Sequence, residues 1–387
     1  MPLRDIARHA SGKWLLLLLA VAAAVTLVSR HGMSVDGPRN TKARTIKVET
    51  VATGLAHPWG LAFLPDGRML VTERSGTLRL VSKDGKLSEP LSGVPEVVAE
   101  GQGGLLDVAI DPDFKSNSLV YLTYSEPGEG GAWTAVARGK LGNSGLENVE
   151  VIFRQEPKIN GNLHFGSRLA FAPDGTLFVT LGERFQFTPA QDLSNDLGKI
   201  VRINPDGSIP KDNPFVGRQD ARPEIWSYGH RNPQGAAIQP ETGKLWETEF
   251  GPRGGDEVNV PQAAANYGWP VVSWGKHYDG REIPKPPTHP EFADAIYHWN
   301  PVISPSGITF YTGDAIPAWK GNLLIGALSE QAIVRLTLDG EKVVGEERIP
   351  MGTRIRDVVQ GPDGAVYALT DERNGEILRL TLENSPK

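Results

Sequence analysis

One phrase recurs six times along the chain, and it constrains the fold more than any other feature of the sequence. The phrase consists of a small residue, an apolar run, a turn of the Pro-Asp-Gly type and a second apolar run. The six copies occupy residues 60–72, 104–123, 167–180, 235–248, 307–326 and 356–370. Because such units bury their apolar faces against their neighbours, the phrase indicates a repeat architecture built from one supersecondary unit.

Each copy predicts two β-strands joined by a tight turn. Pro presets φ and Gly accepts positive φ, so Pro-Asp-Gly is a turn signal with a mechanism. The apolar runs are four to six residues long and rich in Val, Leu, Ile and Phe, which is typical of strands rather than helices. Several copies continue into a third apolar run, as at Thr77–Val81 and Lys199–Ile203.

The spacing of the copies predicts how many strands each unit holds. Successive copies begin 44 to 72 residues apart, which is enough for a four-stranded blade and its insertions. We therefore predict an all-β fold, a six-bladed β-propeller whose closed ring leaves only short edges. Thr45–Leu55 precedes the first copy and is expected to supply the outer strand of the last blade. A β-sandwich is the alternative for many short strands, but six ordered copies favour the ring.

The N-terminal segment is predicted to lie outside the propeller. Arg4, Arg8 and Lys13 precede a predominantly apolar run from Trp14 to Val28, the layout of an export signal. This run of 15 residues is short for a membrane span, which needs about 20. No clear small-x-small cleavage site follows it, so an uncleaved N-terminal anchor is the alternative.

The chain is thus divided into three predicted parts: a signal peptide or anchor (1–32), a linker (33–44) and the propeller domain (45–387). We expect a periplasmic or otherwise exported protein, which would meet the inner membrane only through a retained anchor.

Composition narrows the functional classes. The chain has 46 acidic and 40 basic residues, a net charge of −6, which gives no electrostatic case for binding nucleic acid. It contains no cysteine, which excludes disulfides, thiolate metal sites and a cysteine nucleophile. It also has no EF-hand loop, Walker loop, G-x-S-x-G elbow or H-E-x-x-H motif. Because the fold alone does not give a function, the function has to come from the segments between the repeats.

Glycine-rich polar loops interrupt the repeats, and loops at one end of a propeller converge. They span residues 100–104, 160–168, 228–235, 250–257 and 266–269. Exposed carbonyls beside carboxylates, as in the fourth loop, are ligands that calcium accepts. Arg354 and Arg356 stand two residues apart, so on an extended segment they share a face that suits a polyanion.

Each of these features also has a plain structural interpretation. His164 could be an ordinary hydrogen-bonding residue in a loop, and Arg231 with Asn232 could pair neighbouring blades. Residues 251–257 could form a tight turn with solvated acids, and Arg354 and Arg356 could be two solvated charges.

Taken together, the motifs EGQGGLLD, HFGSRL, GHRNPQG, GPRGGDEVN, NYGWP and RIRDV resemble those of the glucose/sorbosone dehydrogenase family of soluble aldose sugar dehydrogenases. The likeness spans about residues 46–382. It implies an oxidoreductase that converts aldose sugars to lactones at the anomeric carbon, with hydride passing to bound pyrroloquinoline quinone in contact with calcium. The electron acceptor that then reoxidises the quinone is not identified by the sequence.

The resemblance also implies roles for particular residues. His164 matches the general base, and a histidine that titrates near neutrality suits that task. The residues that match positions holding the quinone are Gln102, Arg231, Asn232, Arg354 and Arg356, with Tyr278 as a weaker match for a cofactor or substrate contact. The quinone carries three carboxylates, which arginines bind well. Gly251 and Pro252 match carbonyl ligands of the calcium that touches the quinone, where the ion would act as a Lewis acid. Glu257 and Tyr267 match a second, structural calcium site.

Two positions depart from the family pattern, and two other functions stay open. Ser329 stands where a lysine often contacts the quinone, and Phe250 stands where histidine is often found. A calcium-dependent propeller lactonase would need side-chain Glu, Asn and Asp ligands at the channel centre and no arginine cage. A non-catalytic envelope binding propeller with structural calcium is the other alternative. Only the dehydrogenase should gain activity from added quinone.

Overall fold

In the computed structural model, which describes residues 37–40 and 45–383, the chain forms six antiparallel sheets. The first strands of successive sheets are neighbours in space, and the first strand of the sixth sheet contacts that of the first. Six sheets therefore surround one axis, and the predicted six-bladed β-propeller is confirmed. The predicted signal or anchor, residues 1–32, lies outside the described residues, as does the predicted linker apart from Gly37–Asn40.

The strands follow the chain blade by blade. Blade one contains β3 (Pro58–Phe63), β4 (Met69–Glu73) and β5 (Thr77–Val81), and blade two contains β6 (Leu105–Ile110), β7 (Leu119–Gly128), β8 (Gly131–Leu141) and β9 (Leu146–Arg154). Blade three contains β10 (Gly166–Phe171), β11 (Leu177–Leu181), β12 (Lys199–Ile203) and β13 (Ile225–Tyr228). Blade four contains β14 (Pro233–Ile238), β15 (Leu245–Glu249), β16 (Asp256–Asn259) and β17 (Tyr297–Trp299). Blade five contains β18 (Pro305–Phe310), β19 (Leu323–Ala327), β20 (Ala332–Asp339) and β21 (Lys342–Pro350).

Blade six joins the two ends of the domain. It contains β22 (Ile355–Gln360), β23 (Val366–Thr370) and β24 (Gly375–Leu382), followed outward by β2 (Thr45–Leu55) and β1 (Gly37–Asn40). β2 pairs with β24 from Ile46 opposite Leu382 to Leu55 opposite Gly375. The predicted closure of the ring by Thr45–Leu55 is therefore confirmed.

Helices contribute little. The described residues contain one short α-helix, Phe114–Asn117, and three 3₁₀ turns, Thr188–Gln191, Pro286–Thr288 and Pro317–Trp319. None of these helices is long or apolar enough to cross a membrane.

The hydrophobic core is divided among the six blade interfaces. Each interface has its own buried cluster, such as Leu70, Leu122 and their neighbours between blades one and two. Between blades five and six the cluster includes Trp319, Ile333 and Leu378. The strand β11 is buried along its whole length because blades pack on both of its faces. This explains why most of the second runs are nearly continuously apolar instead of alternating.

The threonine that ends the repeated phrase ties each blade to the next one. In four blades its hydroxyl donates a hydrogen bond to a backbone carbonyl of the following blade's first strand. These bonds run from Thr72 to Leu106, from Thr123 to Ser167 at 2.7 Å, from Thr180 to Pro233 at 2.9 Å and from Thr248 to Ser306 at 3.2 Å. Blade five has Gly326 in this position, and the hydroxyl of Ser306 donates instead to the carbonyl of Ile355 at 2.7 Å.

A buried ion cluster occupies the axis of the ring. The Arg168 guanidinium lies 2.9 Å from Asp107 and 3.2 Å from Asp357, and all three side chains are nearly inaccessible to solvent. Arg168 also donates to the backbone carbonyls of Gln234 at 2.8 Å and Arg356 at 3.0 Å. One side chain of blade three thereby holds blades two, four and six.

The small residue that opens the repeat makes room for this cluster. A Cβ atom at Gly307 would lie 1.8 Å from the carboxylate of Asp357, and one at Gly60 would lie 2.7 Å from that of Asp107. Glycine is therefore required in blades one and five by the charges at the axis.

We expect Arg168→Met to lower the free energy of unfolding by about 3–5 kcal/mol, because it leaves two buried carboxylates without their cation. Denaturant titration measures the change. The control is Arg218→Met. Arg218 pairs with Asp220, and because the two side chains are 47% and 72% exposed, this ion pair should contribute less than about 1 kcal/mol. Equal stability of the two variants would contradict a stabilising role for the axial cluster.

Candidate active site

The predicted base and quinone-binding residues of the loops gather at one end of the ring. Each stands directly before, or at the start of, the first strand of a blade: Gln102 before β6, His164 before β10, Arg231 and Asn232 before β14, Arg354 before β22 and Arg356 at the start of β22. Because the blades are arranged around an axis, the starts of their first strands face the same end. The structure thus brings together residues that are up to 254 positions apart in sequence (102 to 356).

His164 is held on two sides. Its ring Nδ1 lies 2.6 Å from Glu183 Oε1, and its backbone N–H donates to Gln102 Oε1 at 2.8 Å. The same Gln102 oxygen accepts a longer contact of 3.5 Å from Asn232 Nδ2. With the proton on Nδ1 donated to the carboxylate, Nε2 carries the lone pair and is free to act as a base.

The environment of His164 favours its neutral form. The side chain is 4% exposed, and burial lowers its pKa below the ordinary 6.5, against the opposing effect of the hydrogen bond to Glu183. The positive charge of Arg231 lowers this pKa further. The ring is therefore neutral at pH 7 and takes up a proton only as the pH falls through the lowered pKa.

The sequence analysis missed Glu183, although a positional signal exists. An acidic residue follows the repeat's threonine within three positions in five blades, at Glu73, Glu126, Glu183, Glu249 and Asp371. Each of these carboxylates lies at or near the end of a second strand. A search of the three positions after each threonine would have included Glu183 among five candidates.

Arg231 is buried and only partly satisfied. Its guanidinium donates to the carbonyls of Phe250 at 3.0 Å and Gly251 at 2.8 Å, and to the hydroxyl oxygen of Tyr278 at 3.1 Å. It also lies over the ring of Trp269, 5.2 Å from the centroid. Its Nε–H has no acceptor among the described residues. The Gly251 carbonyl, predicted as a calcium ligand, thus accepts a hydrogen bond from a predicted quinone-binding residue.

Arg354 and Arg356 converge on one carboxylate that the sequence analysis did not select. Each donates to Asp371 Oδ2, at 2.9 Å and 2.8 Å respectively. Although burial alone would raise it, the charges of Arg356 and Arg354 hold the pKa of Asp371 well below its usual range. One carboxylate balances one of two positive charges, so the pair keeps a net positive charge beside the channel. Arg356 Nε–H is also without an acceptor in residues 37–40 and 45–383.

Three glutamates face one another across two strands of blade four. Glu249 is directly opposite Glu257, and Glu247 is opposite Asn259, whose amide donates to Glu247 at 2.7 Å. His230 Nδ1 lies 3.1 Å from Glu249. Burial, together with the charge of Glu249, raises the pKa of both Glu247 and Glu257 well above the usual range.

This acidic cluster has more acceptors than donors. Glu247 Oε2 and Asn259 Oδ1 are buried and have no hydrogen-bond partner in the part of the chain that the structure describes. Like charges opposed across a strand pair are destabilising unless a cation or protons balance them. Oxygen-rich surroundings of this kind match the ligands of calcium.

The predicted calcium residues line two adjacent cavities. Gly251, Glu257 and Tyr267 line a small one of about 10 Å³, roughly the space of one water-sized sphere. The Tyr267 ring stacks on His230 at 4.8 Å, and its hydroxyl donates to the Val260 carbonyl at 2.8 Å. Pro252 instead lines a larger cavity of about 220 Å³ together with Arg231 and Tyr278. These placements leave the metal roles as predictions.

The two residues that depart from the family pattern, Phe250 and Ser329, lie at different places in the structure. Phe250 lines the small cavity beside Gly251. Ser329 is exposed in the turn after β19, where its backbone N–H donates to Ile303 at 3.2 Å.

Comparison with known proteins shows which family the chain belongs to. The family model described as glucose/sorbosone dehydrogenase matches residues 55–379 of the chain. The chain belongs to this family. The aldose sugar dehydrogenase YliI of Escherichia coli K12 is 47% identical over 348 residues, covering 88% of this chain and 94% of that protein.

Solved structures agree with this membership. One described as glucose dehydrogenase is 50% identical, with a TM-score of 0.85, and covers 88% of this chain and 100% of its own. The PQQ-bound form of an aldose sugar dehydrogenase from Streptomyces coelicolor is 30% identical, with a TM-score of 0.74 and coverage of 90% and 100%. The resemblance inferred from the motifs is therefore confirmed at the level of the family.

We expect Glu183→Gln to lower the pKa of His164 further, because the carboxylate is the group that raises it. NMR titration of histidine-labelled protein measures this shift. The control is Glu150→Gln, which changes a 57% exposed side chain paired with Arg138 and should leave the His164 titration unchanged. A His164 pKa that is unchanged or raised in Glu183→Gln would contradict the orientation assigned to this pair.

Proposed function

We propose that this member of the glucose/sorbosone dehydrogenase family is an aldose sugar dehydrogenase that oxidises the anomeric carbon to a lactone, with pyrroloquinoline quinone and calcium as cofactors. The observation that carries the proposal is the buried His164–Glu183 pair, which lies 2.6 Å apart at the end of the channel where Arg231, Arg354 and Arg356 gather. A base with an orienting carboxylate serves proton abstraction, and the arginines serve a polyanion. The names of the relatives, an aldose sugar dehydrogenase and a PQQ-bound homologue, support the same function.

The residues present fit the quinone. Arg231 and Arg356 each keep a buried N–H that finds no acceptor in the described part of the chain, and Arg354 is 42% exposed beside them. Gln102, Asn232 and Tyr278 add polar groups around Arg231 and His164. When bound, the quinone supplies the two-electron acceptor and calcium supplies Lewis acidity, chemistry that the side chains themselves lack.

The work of the chain is to hold the sugar and move one proton. We propose that His164 Nε2 accepts the proton of the anomeric hydroxyl. Glu183 keeps the ring in the required tautomer and stabilises the imidazolium that forms. Gln102 fixes the backbone of the base through its 2.8 Å hydrogen bond.

Calcium is proposed at both predicted positions. The carbonyls of Gly251 and Pro252 would hold the ion next to the quinone, and Glu257 with Tyr267 would hold a structural ion. The unpartnered oxygens of Glu247 and Asn259 support a cation beside Glu257, because they offer two further oxygen ligands.

The two alternatives are less well supported. A calcium-dependent lactonase needs its ion at the channel centre, where this protein has the Arg168 guanidinium between two aspartates. A binding module has no need for a buried base with an orienting carboxylate.

We also propose export by residues 1–32, which cell fractionation with and without this segment would test.

The deciding experiment is reconstitution. Purified protein with quinone and calcium should reduce a dye acceptor in the presence of aldoses and release the lactone, whereas protein without quinone should not. Tight quinone binding with no dye reduction by any aldose would overturn the proposed function. Lactone hydrolysis without quinone would instead support the lactonase.

Replacement of the base gives the second test. His164→Ala should lower kcat by about 10²–10⁴, the usual contribution of a general base, while quinone still binds. His289→Ala is the matched control, since its side chain is 35% exposed and pairs with Glu291 at 2.9 Å. Unchanged turnover in His164→Ala would remove this residue from the mechanism.

The acidic cluster gives the third test. Added calcium should stabilise the wild type by about 3 kcal/mol when its concentration is 100-fold above Kd, because the ion binds the native state selectively. Glu257→Gln should lose that gain, which thermal unfolding with and without calcium measures. Glu282→Gln, at a 77% exposed side chain, is the control. An identical calcium response in Glu257→Gln would show that Glu257 binds no calcium and is only a structural residue of β16.

A further inference from the structure

A row of aromatic rings begins at the base and continues along the wall of the open cavity of about 220 Å³. Phe185 packs edge-on against His164, with ring centroids 5.2 Å apart, and Phe187 lies 5.1 Å from Phe185. Phe187 in turn lies 5.8 Å from Trp269 and 6.4 Å from His277. Phe185 is 38% exposed, an unusual position for a large apolar side chain.

The backbone that presents these rings is strained. Arg184, Phe185 and Phe187 have φ values of 59°, 61° and 65°, in the left-handed region that bulky residues avoid. Such conformations persist only where surrounding contacts enforce them, and they cluster at functional sites.

Specific contacts hold the strained segment in place. The buried Arg184 guanidinium donates to the carbonyls of Leu163 and Ala132, each at 3.0 Å, in the loop and strand next to the base. Glu183 binds the base with Oε1 and accepts the backbone N–H of Phe187 with Oε2 at 2.6 Å. One carboxylate therefore sets the positions of both the base and the aromatic row.

Polar side chains also line the cavity. Tyr278, which is 60% exposed, lines it together with Asp279 and Arg281, an ion pair at 2.8 Å. A pyranose ring has faces of C–H groups and an edge of hydroxyls. A lining that combines aromatic rings with charged side chains offers a partner to each of these surfaces.

Resting on the proposed function, we propose that Phe185 and Phe187 form an aromatic sugar subsite that determines substrate preference. Phe185 touches the base, so it stacks against the ring that is being oxidised. His164, Gln102 and Asn232 do not line the cavity, so a sugar whose anomeric hydroxyl reaches His164 lies beside it. The cavity with Phe187 and Tyr278 accepts the next ring of a reducing disaccharide.

The experiment compares glucose and maltose on the quinone- and calcium-loaded protein. Phe187→Ala should raise KM for maltose about tenfold, the effect of losing much of one buried aromatic contact, and change KM for glucose less than about twofold. Phe185→Ala should raise KM for both sugars. Phe187→Tyr should retain the maltose preference, and Val344→Ala, at a 54% exposed residue of blade five, is the control.

Equal loss for both sugars in Phe187→Ala would overturn the subsite, and so would looser quinone binding with an unchanged sugar preference, which would assign the cavity to the cofactor. Ligand-observed NMR measures maltose binding without turnover. If wild type binds maltose better than Phe187→Ala but oxidises no sugar, the subsite stands and the proposed dehydrogenase function fails. Equal maltose binding by both proteins overturns the subsite itself.

Discussion

The placement of one guanidinium on the propeller axis is the constraint on which the rest of the structure depends. Six blades pack through six separate apolar clusters, and these clusters leave the axis to be filled by something else. Arg168 fills it by binding Asp107 and Asp357, while its planar face stacks on Trp59 at 4.2 Å. Removing either charge type would leave the other buried and unpaired, which costs more than the loss of an exposed pair. The glycines of the repeat are a consequence, because side chains there would collide with the same carboxylates.

The axial cluster also orders the active-site end of the ring. Arg168 donates to the Arg356 carbonyl, and the Gln234 side chain accepts from Arg356 at 2.8 Å, so the last blade is held from the centre. Arg356 shares Asp371 with Arg354, which fixes the positive face of the proposed quinone site before any ligand binds. Such preorganisation means that binding does not have to pay for ordering these long side chains.

Acidic residues near the ends of the second strands have different roles in different blades. Glu183 orients the base, Glu249 belongs to the acidic cluster of blade four, and Asp371 pairs with two arginines. In blade one the equivalent Glu73 binds Arg79 at 2.9 Å and accepts a backbone N–H from Ala56, which is a structural role. The ends of these second strands therefore differ in function according to the acidic residue that each blade places there. The cavity of about 220 Å³ differs from these buried positions, because Phe185 and Tyr278 remain exposed where a sugar would approach.

Local chemistry explains how much the sequence determined by itself. Turn residues and apolar runs act over a few positions, so the repeats predicted six blades and the bounds of Thr45–Leu55, Thr77–Val81 and Lys199–Ile203 as the structure has them. The motif resemblance likewise identified the family and selected His164 and the arginines. Tertiary structure alone decided the partners of these residues: Glu183 for His164, Asp371 for both arginines, and Glu247 and Glu249 beside Glu257. These pairings depend on the closure of the ring and on strand register, which bring distant or cross-strand side chains within hydrogen-bonding distance, and no pattern of neighbouring residues encodes that distance.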